Sequence, residues 1–485
     1  MKILNDREIL NNAYSATDRR ARELALKILK AAVEAADPHT AIMNHIKLQE
    51  KSLVIDGTSF DLNAYNRIFV IGAGKASGAM AEALENVLGN LITDGHVNIL
   101  KGTLPKFKTT RIWLHEADHP IPSEDGVKGS KRIIEIAREA ERGDLVICLI
   151  SGGGSALMPL PSEGISLADK QCVTESLLAC GATINEINVV RKHISKIKGG
   201  QLAKEVYPAT LVSLILSDVL GDPLDAIASG PTVPDISTFQ EAISIIKKYE
   251  LWQKIPKSVK HHLTAGLRNK IPETPKPSDK IFRNNHVFIV GNNYLAAKAA
   301  YEKAKNLGLN ALLLSSLIQG EARHVGTVYA AIAKEVVKND NPIRKPAAII
   351  AGGETTVTVV GQGLGGRNQE LVLSASLGIE GLSGVAVASI GTDGVDGPTD
   401  AAGAIADGRT LIRSKVKKLN AITYLKNNDS YTFFKRLNDL ILTGPTGTNV
   451  NDISVMIILG SEKKRRQEYP ENRLDPTRKI LGVTL

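Results

Sequence analysis

RIFVIGAGKASGAMAEALENVL, from Arg67 to Leu88, decides the fold. Its first five residues, Arg67–Ile71, are mostly apolar and read as a buried strand. Gly72–Gly78 reads as a turn, and Ala79–Leu88 has the apolar spacing of a helix. The same order recurs: Asp144–Ile150 as strand, Gly152–Ser155 as turn, and Ser166–Ala179 as a helix opened by a capping box of Ser166 and Asp169. Thr210–Leu216 is a further strand ending at Ser217-Asp218. Alternating strands and helices of this length predict an α/β protein with mostly parallel sheets.

A long helix is expected over residues 16–36. Residues 266–285, with Pro272, Pro275 and Pro277 among charges and no apolar period, read as a linker. Beyond it the rhythm restarts: strand His286–Val290, helix Tyr294–Asn306, strand Asn310–Ser315 and helix Glu321–Val337. Strands Ala347–Ala351, Thr355–Val360, Val385–Ile390 and Ile453–Leu459 follow. The expected division is therefore a Rossmann-like domain over 1–265, the linker, and a second α/β domain over 286–485, with a cleft between the two.

At 485 residues, the chain is long enough for two or three domains, and 43% hydrophobic content supports large cores. No run of about 18 apolar residues suggests a membrane span, and MKILNDREILNNAYSATDRR lacks a hydrophobic signal core. Cys148, Cys172 and Cys180 form no C-x-x-C pair, so a cytoplasmic protein without disulfides is expected. The net charge of +9 is concentrated partly in Lys463–Arg466, which has no interleaved aromatic residues. It reads as a solvated surface, and an acidic small molecule is a better partner than nucleic acid.

Four glycine-dense turns carry the chemistry: IGAGKASG (Ile71–Gly78), LISGGGSAL (Leu149–Leu157), GQGLGGRNQE (Gly361–Glu370) and GTDGVDGPTD (Gly391–Asp400). Backbone N–H groups at such turns can approach phosphate closely. The first is G-x-G-x-x-x-G with Lys75 in the turn, which is neither a dinucleotide fingerprint nor a Walker A loop. The second is not a G-x-S-x-G nucleophile, because Leu157 stands where the closing glycine belongs. Arg367 follows Gly365-Gly366 at an expected helix start and could clamp a phosphoryl group. Asp393 and Asp396 follow a strand and could accept a hydroxyl proton or hold a metal, and so could Asp218 and Asp222. The calcium-loop consensus is not met. Arg191, Lys192, His193, Lys196 and Lys198 form a basic cluster without zinc-ligand spacing.

With GAGKASGAM, SGGGSAL, KHISKIKGG, LSDVLGDPLDAIASGPTVPD, GGETTVTVVGQGLGGRNQE, ASIGTDGVDGPTDAAGA and LTGPTGTNVNDI in this order, the chain resembles the class II glycerate kinases. The resemblance runs from about residue 20 to 460, and the MOFRL region falls at about 345–460. It implies transfer of the γ-phosphoryl group of ATP to D-glycerate, commonly at the 2-hydroxyl, with Mg²⁺. By the same resemblance, Lys75 and Arg367 are catalytic cations and Asp393 their acidic partner. The Ser151–Ser155 segment then becomes part of the nucleotide phosphate site. On the residues themselves, Gly72, Gly74, Ser151, Gly152, Gly153, Gly154, Ser155 and Asp218 are the nucleotide-binding candidates, and Asp218 and Asp393 the metal candidates. The expected partners are small molecules only, with neither nucleic acid nor membrane, in a monomer or a homodimer. A hydroxypyruvate reductase using NAD(P)H and a non-catalytic sugar-acid or nucleotide sensor are the alternatives.

Overall fold

The computed structural model describes residues 1–460, so the basic run Lys463–Arg466 lies outside the described residues. Six parallel strands form the first sheet, in the spatial order Ile112–Ala117, Asp94–Leu100, Ile68–Ala73, Leu145–Ser151, Thr210–Leu216, Asn285–Gly291. The chain begins in the middle, builds to one edge, then returns to build the other. That is the doubly wound order, and its direction reverses between Ile68–Ala73 and Leu145–Ser151. Every residue of those two central strands is buried, as expected of a sheet covered by helices on both faces. The capping box read at Ser166 and Asp169 is present at the start of helix Leu167–Ala179.

The second sheet also has six strands, but it is mixed. Asn310–Ile318 and Ala347–Gly353 are parallel; Asp452–Ile458 then runs antiparallel between Ala347–Gly353 and Val385–Gly391, and Gly403–Asp407 and Leu440–Ile441 complete the edge. The expectation of mostly parallel sheets thus fits the first sheet only. The reversed strand has a consequence for the site. Asp452 pairs with Gly353 on one side and Gly391 on the other, so three chain segments meet at one end of the sheet. A small antiparallel sheet over residues 46–61 completes the strands.

Three sequence expectations are corrected. Residues 266–285 connect helix Lys257–Leu267 to strand Asn285–Gly291 within the first sheet; more than half of them are exposed, but the segment is pinned at its centre. Thr274 is buried and donates to Asp235, and the Pro275 carbonyl accepts from the Asp235 amide. The strand expected to open the second domain at His286 is the last strand of the first sheet, because it pairs with Thr210–Leu216. Residues 355–360, read as a strand, form no extended ladder beyond an isolated bridge at Thr356.

The chain's first residues also belong elsewhere than expected. Helix Ala16–Ala35, capped by Ser15, lays its buried stripe on the second sheet. Its Arg22, fully buried, bonds Asp407 at 2.6 Å and Asp439 at 2.7 Å, and Asp18 accepts from the Gly384 amide at 2.8 Å. One buried apolar cluster runs through both units, from Val70, Ile147 and Val212 to Ile390, Val455 and Ile457. The chain crosses between the sheets at Asn292-Asn293. There Asn292 donates to Asp222 at 2.5 Å, and Asn293 donates to the carbonyls of Val450 and Asp452 at 2.7 and 3.0 Å.

Candidate active site

The turns after Ile68–Ala73 and Leu145–Ser151 lie side by side where the winding of the first sheet reverses, the crevice in which open α/β sheets bind ligands. The Lys75 amide donates to the Gly152 carbonyl at 2.8 Å, and Ser151 Oγ accepts from the Ala76 amide at 3.0 Å. This contact needs glycine: a side chain on Gly72 would collide with the Leu149 backbone, and one on Gly74 would collide with Ser151. Ser151 is fully buried and ties the two turns together, so its hydroxyl is structural. Gly153, at φ +81°, opens the short helical turn Gly154–Leu157. Ser155 Oγ sits 2.7 Å from Ser229 Oγ, which in turn donates to Asn188.

Lys75 projects from the first turn past Gly153. A β-carbon built on Gly153 would lie 3.1 Å from Lys75 Cγ and 3.0 Å from the His119 ring. Lys75 is half-buried and forms no ion pair among the described residues. Asp218, just past strand Thr210–Leu216, occupies the space a side chain on Gly152 would need. Burial raises its carboxyl above the ordinary range; Lys75 opposes that rise, and Glu354 of the second unit adds to it. Burial, then Lys75, lowers His119.

From the second unit, Arg367 is the first residue of helix Arg367–Gly378. Its guanidinium lies 2.7 Å from Glu354 and 2.7 Å from Asp452. Burial disfavours that cation, but Asp452 and Glu354 outweigh burial and raise its pKa. Burial pushes Asp452 up to about 7 in spite of Arg367. Asp393 lies next to this pair. A β-carbon built on Gly391 would be 3.2 Å from Asp393 Oδ1 and 3.7 Å from Asp452 Oδ1. The two units are joined at this point, because Asn451 donates to the Asp218 carbonyl at 3.0 Å.

Lys75, Asp218 and the Gly152–Gly154 turn thus lie on the first sheet's side of the junction, and Glu354, which Asp218 feels, joins Arg367 and Asp452 on the other, with Asp393 beside them. Three residues singled out in the sequence serve structure instead. Asp396 is buried and accepts from the Asn368 and Gln369 amides at 3.0 and 2.9 Å, which caps the Arg367 helix. Buried His193 is bonded by the Val189 carbonyl and Glu273. Asp222 accepts from Asn292 at the crossing between sheets. Sequence reading missed Glu354 and Asp452, although both lie inside quoted motifs. No pattern marks them, because only strand pairing brings them to Arg367.

A parallel sheet whose glycine turns flank its switch point, set against an arginine and carboxylates of a second sheet, is the crevice of an anion-handling α/β enzyme. Residues 24–264 match a family described as a domain of unknown function (DUF4147), and residues 347–452 match the MOFRL family. A Pyrococcus horikoshii protein named glycerate 2-kinase is 43% identical over 438 residues, covering 90% of this chain and 97% of that one. A Thermotoga maritima D-glycerate 2-kinase is 42% identical over 442 residues, covering 90% and 98%. The crystal structure of a Thermotoga maritima glycerate kinase superposes with a TM-score of 0.80 at 42% identity, covering 90% of this chain and 99% of that chain. A Pyrococcus horikoshii crystal structure gives a TM-score of 0.85 over 90% and 98% at 42% identity. The chain belongs to the glycerate kinase family that carries the MOFRL region.

Proposed function

We propose that the protein transfers the γ-phosphoryl group of ATP to the 2-hydroxyl of D-glycerate. The observation that carries this reading is that Asp218 feels both Lys75, from the first sheet, and Glu354, from the second, and that Glu354 in turn pairs with Arg367. Phosphoryl transfer through a loose transition state needs positioning and charge neutralisation more than covalent chemistry. Among the described residues Lys75 forms no ion pair, which leaves it available to phosphate oxygens. Arg367 is oriented by Glu354 and Asp452 and can present its remaining donors to the transferred group. In this reading Asp393 accepts the hydroxyl proton.

Among the described residues, no group of three or more His, Cys, Asp or Glu is gathered closely enough to hold a metal ion. Mg²⁺ needs no such cage, because one or two carboxylates plus substrate phosphates suffice. Asp218, half-buried with its carboxyl raised by burial, fits as one such carboxylate, and Asp393 is the other candidate. When bound there, Mg²⁺ would neutralise charge on the phosphate oxygens. Among the described residues no helix is long and apolar enough to cross a membrane, and all three cysteines are free thiols. A reducing cytoplasm suits such a protein, and both proposed substrates are small anions.

A relative in Agrobacterium vitis, 40% identical over 444 residues, carries a hydroxypyruvate reductase name. A dinucleotide site of that type needs an acidic residue at the end of the neighbouring strand to hold the ribose. Here strand Asp94–Leu100 ends at Leu100-Lys101-Gly102. The discriminating assay combines purified protein with D-glycerate, ATP and Mg²⁺, follows ADP, and identifies the phosphoglycerate isomer by ³¹P NMR. ADP release no faster than that of Lys75→Ala would sink the kinase reading. NADH or NADPH oxidation driven by hydroxypyruvate would support the reductase.

A further inference from the structure

Beside the Gly153–Ser155 turn lies a cavity of about 270 Å³ whose walls include Pro120, Ile121 and Leu178, together with Lys170, Arg191 and Lys198. Lys170 and Lys198 are 5% and 1% exposed. Among the described residues their ammonium groups meet only carbonyl oxygens: Lys170 donates to Pro159 at 3.0 Å, and Lys198 donates to Ser155 at 3.0 Å and Ala228 at 3.4 Å. Neither they nor Arg191 form an ion pair among the described residues, and Glu175, exposed at the rim, pairs with none of them. Other cations on the same motif are paired: Lys192 with Asp225 and Asp235 at 3.0 and 3.2 Å, and Lys196 with Glu163 at 3.4 Å.

Burying unpaired cations together is unfavourable for folding. Burial, then repulsion by Arg191, pushes Lys170 down to about 7. Burial, then Lys170 and Arg191, lowers Lys198 well below its ordinary value. The three charges feel one another, and an entering anion would relieve all of them.

We propose that this pocket holds the non-transferred phosphates of the nucleotide donor, with Lys170, Arg191 and Lys198 as positioning cations. The proposal rests on the kinase reading. Charge favours a polyphosphate, since a single carboxylate would leave most of the cluster unneutralised. Size agrees: at roughly 30 Å³ per liquid water, the cavity of about 270 Å³ holds on the order of nine waters, more than a three-carbon acid fills. The apolar wall at Pro120, Ile121 and Leu178 suits the base. Gly153 lines the cavity and also abuts the Lys75 side chain, so a phosphate chain crossing that turn ends at Lys75.

The test uses Arg191→Met, at the half-buried edge of the pocket, and Lys170→Met, with inorganic tripolyphosphate as the probe. In the wild type, tripolyphosphate should inhibit competitively against ATP but not against glycerate, and should raise the thermal midpoint. Each variant should raise KM for ATP about 10-fold to 100-fold, weaken tripolyphosphate binding alike, and leave KM for glycerate within twofold. If Lys170→Met does not fold, Arg191→Met decides alone. A rise in KM for glycerate instead, or unaltered affinity for both ATP and tripolyphosphate, overturns the proposal. Were the wild type to form no phosphoglycerate, the kinase reading would fall. Calorimetric binding of ATP and tripolyphosphate to the wild type and Arg191→Met would still decide what the pocket holds.

Discussion

Arg367→Met separates what this arginine does for catalysis from what it does for the fold. In the native protein Asp452 has a carboxyl pKa of about 7, against an ordinary 3.8, because burial outweighs the attraction of Arg367. A carboxyl raised on folding makes stability fall as pH rises from about 4 to 7, and the fall ends once the native group ionises. Relative to a native state held protonated, the freedom to ionise lowers the native free energy by RT ln(1 + 10^(pH − pKa)). That is about 0.4 kcal/mol at pH 7 and about 3 kcal/mol at pH 9. Without Arg367, burial acts unopposed by its nearest cation and Asp452 stays protonated across this range, so the variant forfeits that stabilisation. The expected loss relative to wild type is small at pH 7 and grows by up to about 1.4 kcal/mol per pH unit above it. At pH 7 kcat should nevertheless drop by about 10³-fold or more, as when a transition-state cation is removed. Urea unfolding of both proteins at pH 6, 7, 8 and 9, with kcat measured at pH 7, checks both parts. Parallel stability profiles would refute the account of Asp452, and a kcat within tenfold of wild type would remove Arg367 from the chemistry.

Asp393→Asn keeps the shape of the turn but removes the proposed proton acceptor. It should lower kcat by about 10²-fold or more with KM for ATP nearly unchanged, and steady-state kinetics with both substrates varied will show whether it does. Arg22→Met, far from the crevice, should cost about 3–5 kcal/mol in urea unfolding because Asp407 and Asp439 are buried around it. Arg413, 2.6 Å from Asp439, remains to pair with them and sets the lower end of that range. The folded fraction should keep wild-type kcat; a loss below about 1 kcal/mol would mean the network contributes little.

Local patterning made much of this protein legible. The passage from Ile68–Ala73 through a glycine turn into a helix, the capping box at Ser166 and Asp169, and the helix beginning at Arg367 all lie within short windows where period and turn chemistry speak directly. Strand Asp94–Leu100 was not legible, because DGHVNIL has neither a strict alternation nor a continuous apolar run. The reading of Thr355–Val360 as a strand failed for the opposite reason. TTVTVV has strand composition, yet in the fold Val359 and Val360 are more than two-thirds exposed, and among the described residues no strand pairs with them.

By itself, the sequence determined the α/β class, the glycine turns that need bare backbone, and Lys75, Arg367 and Asp393 as the charges those turns present. Tertiary structure alone decided which distant segments meet. Helix Ala16–Ala35 shows its apolar stripe in sequence but not that the stripe faces the second sheet. His286–Val290 reads as a strand but not as the last strand of the first sheet. Asp452 has no motif of its own. It reaches Arg367 because its strand runs antiparallel between two others, with Gly353 and Gly391 as its partners. Register and burial arise from contacts tens to hundreds of residues apart, and a short sequence window contains only one side of each.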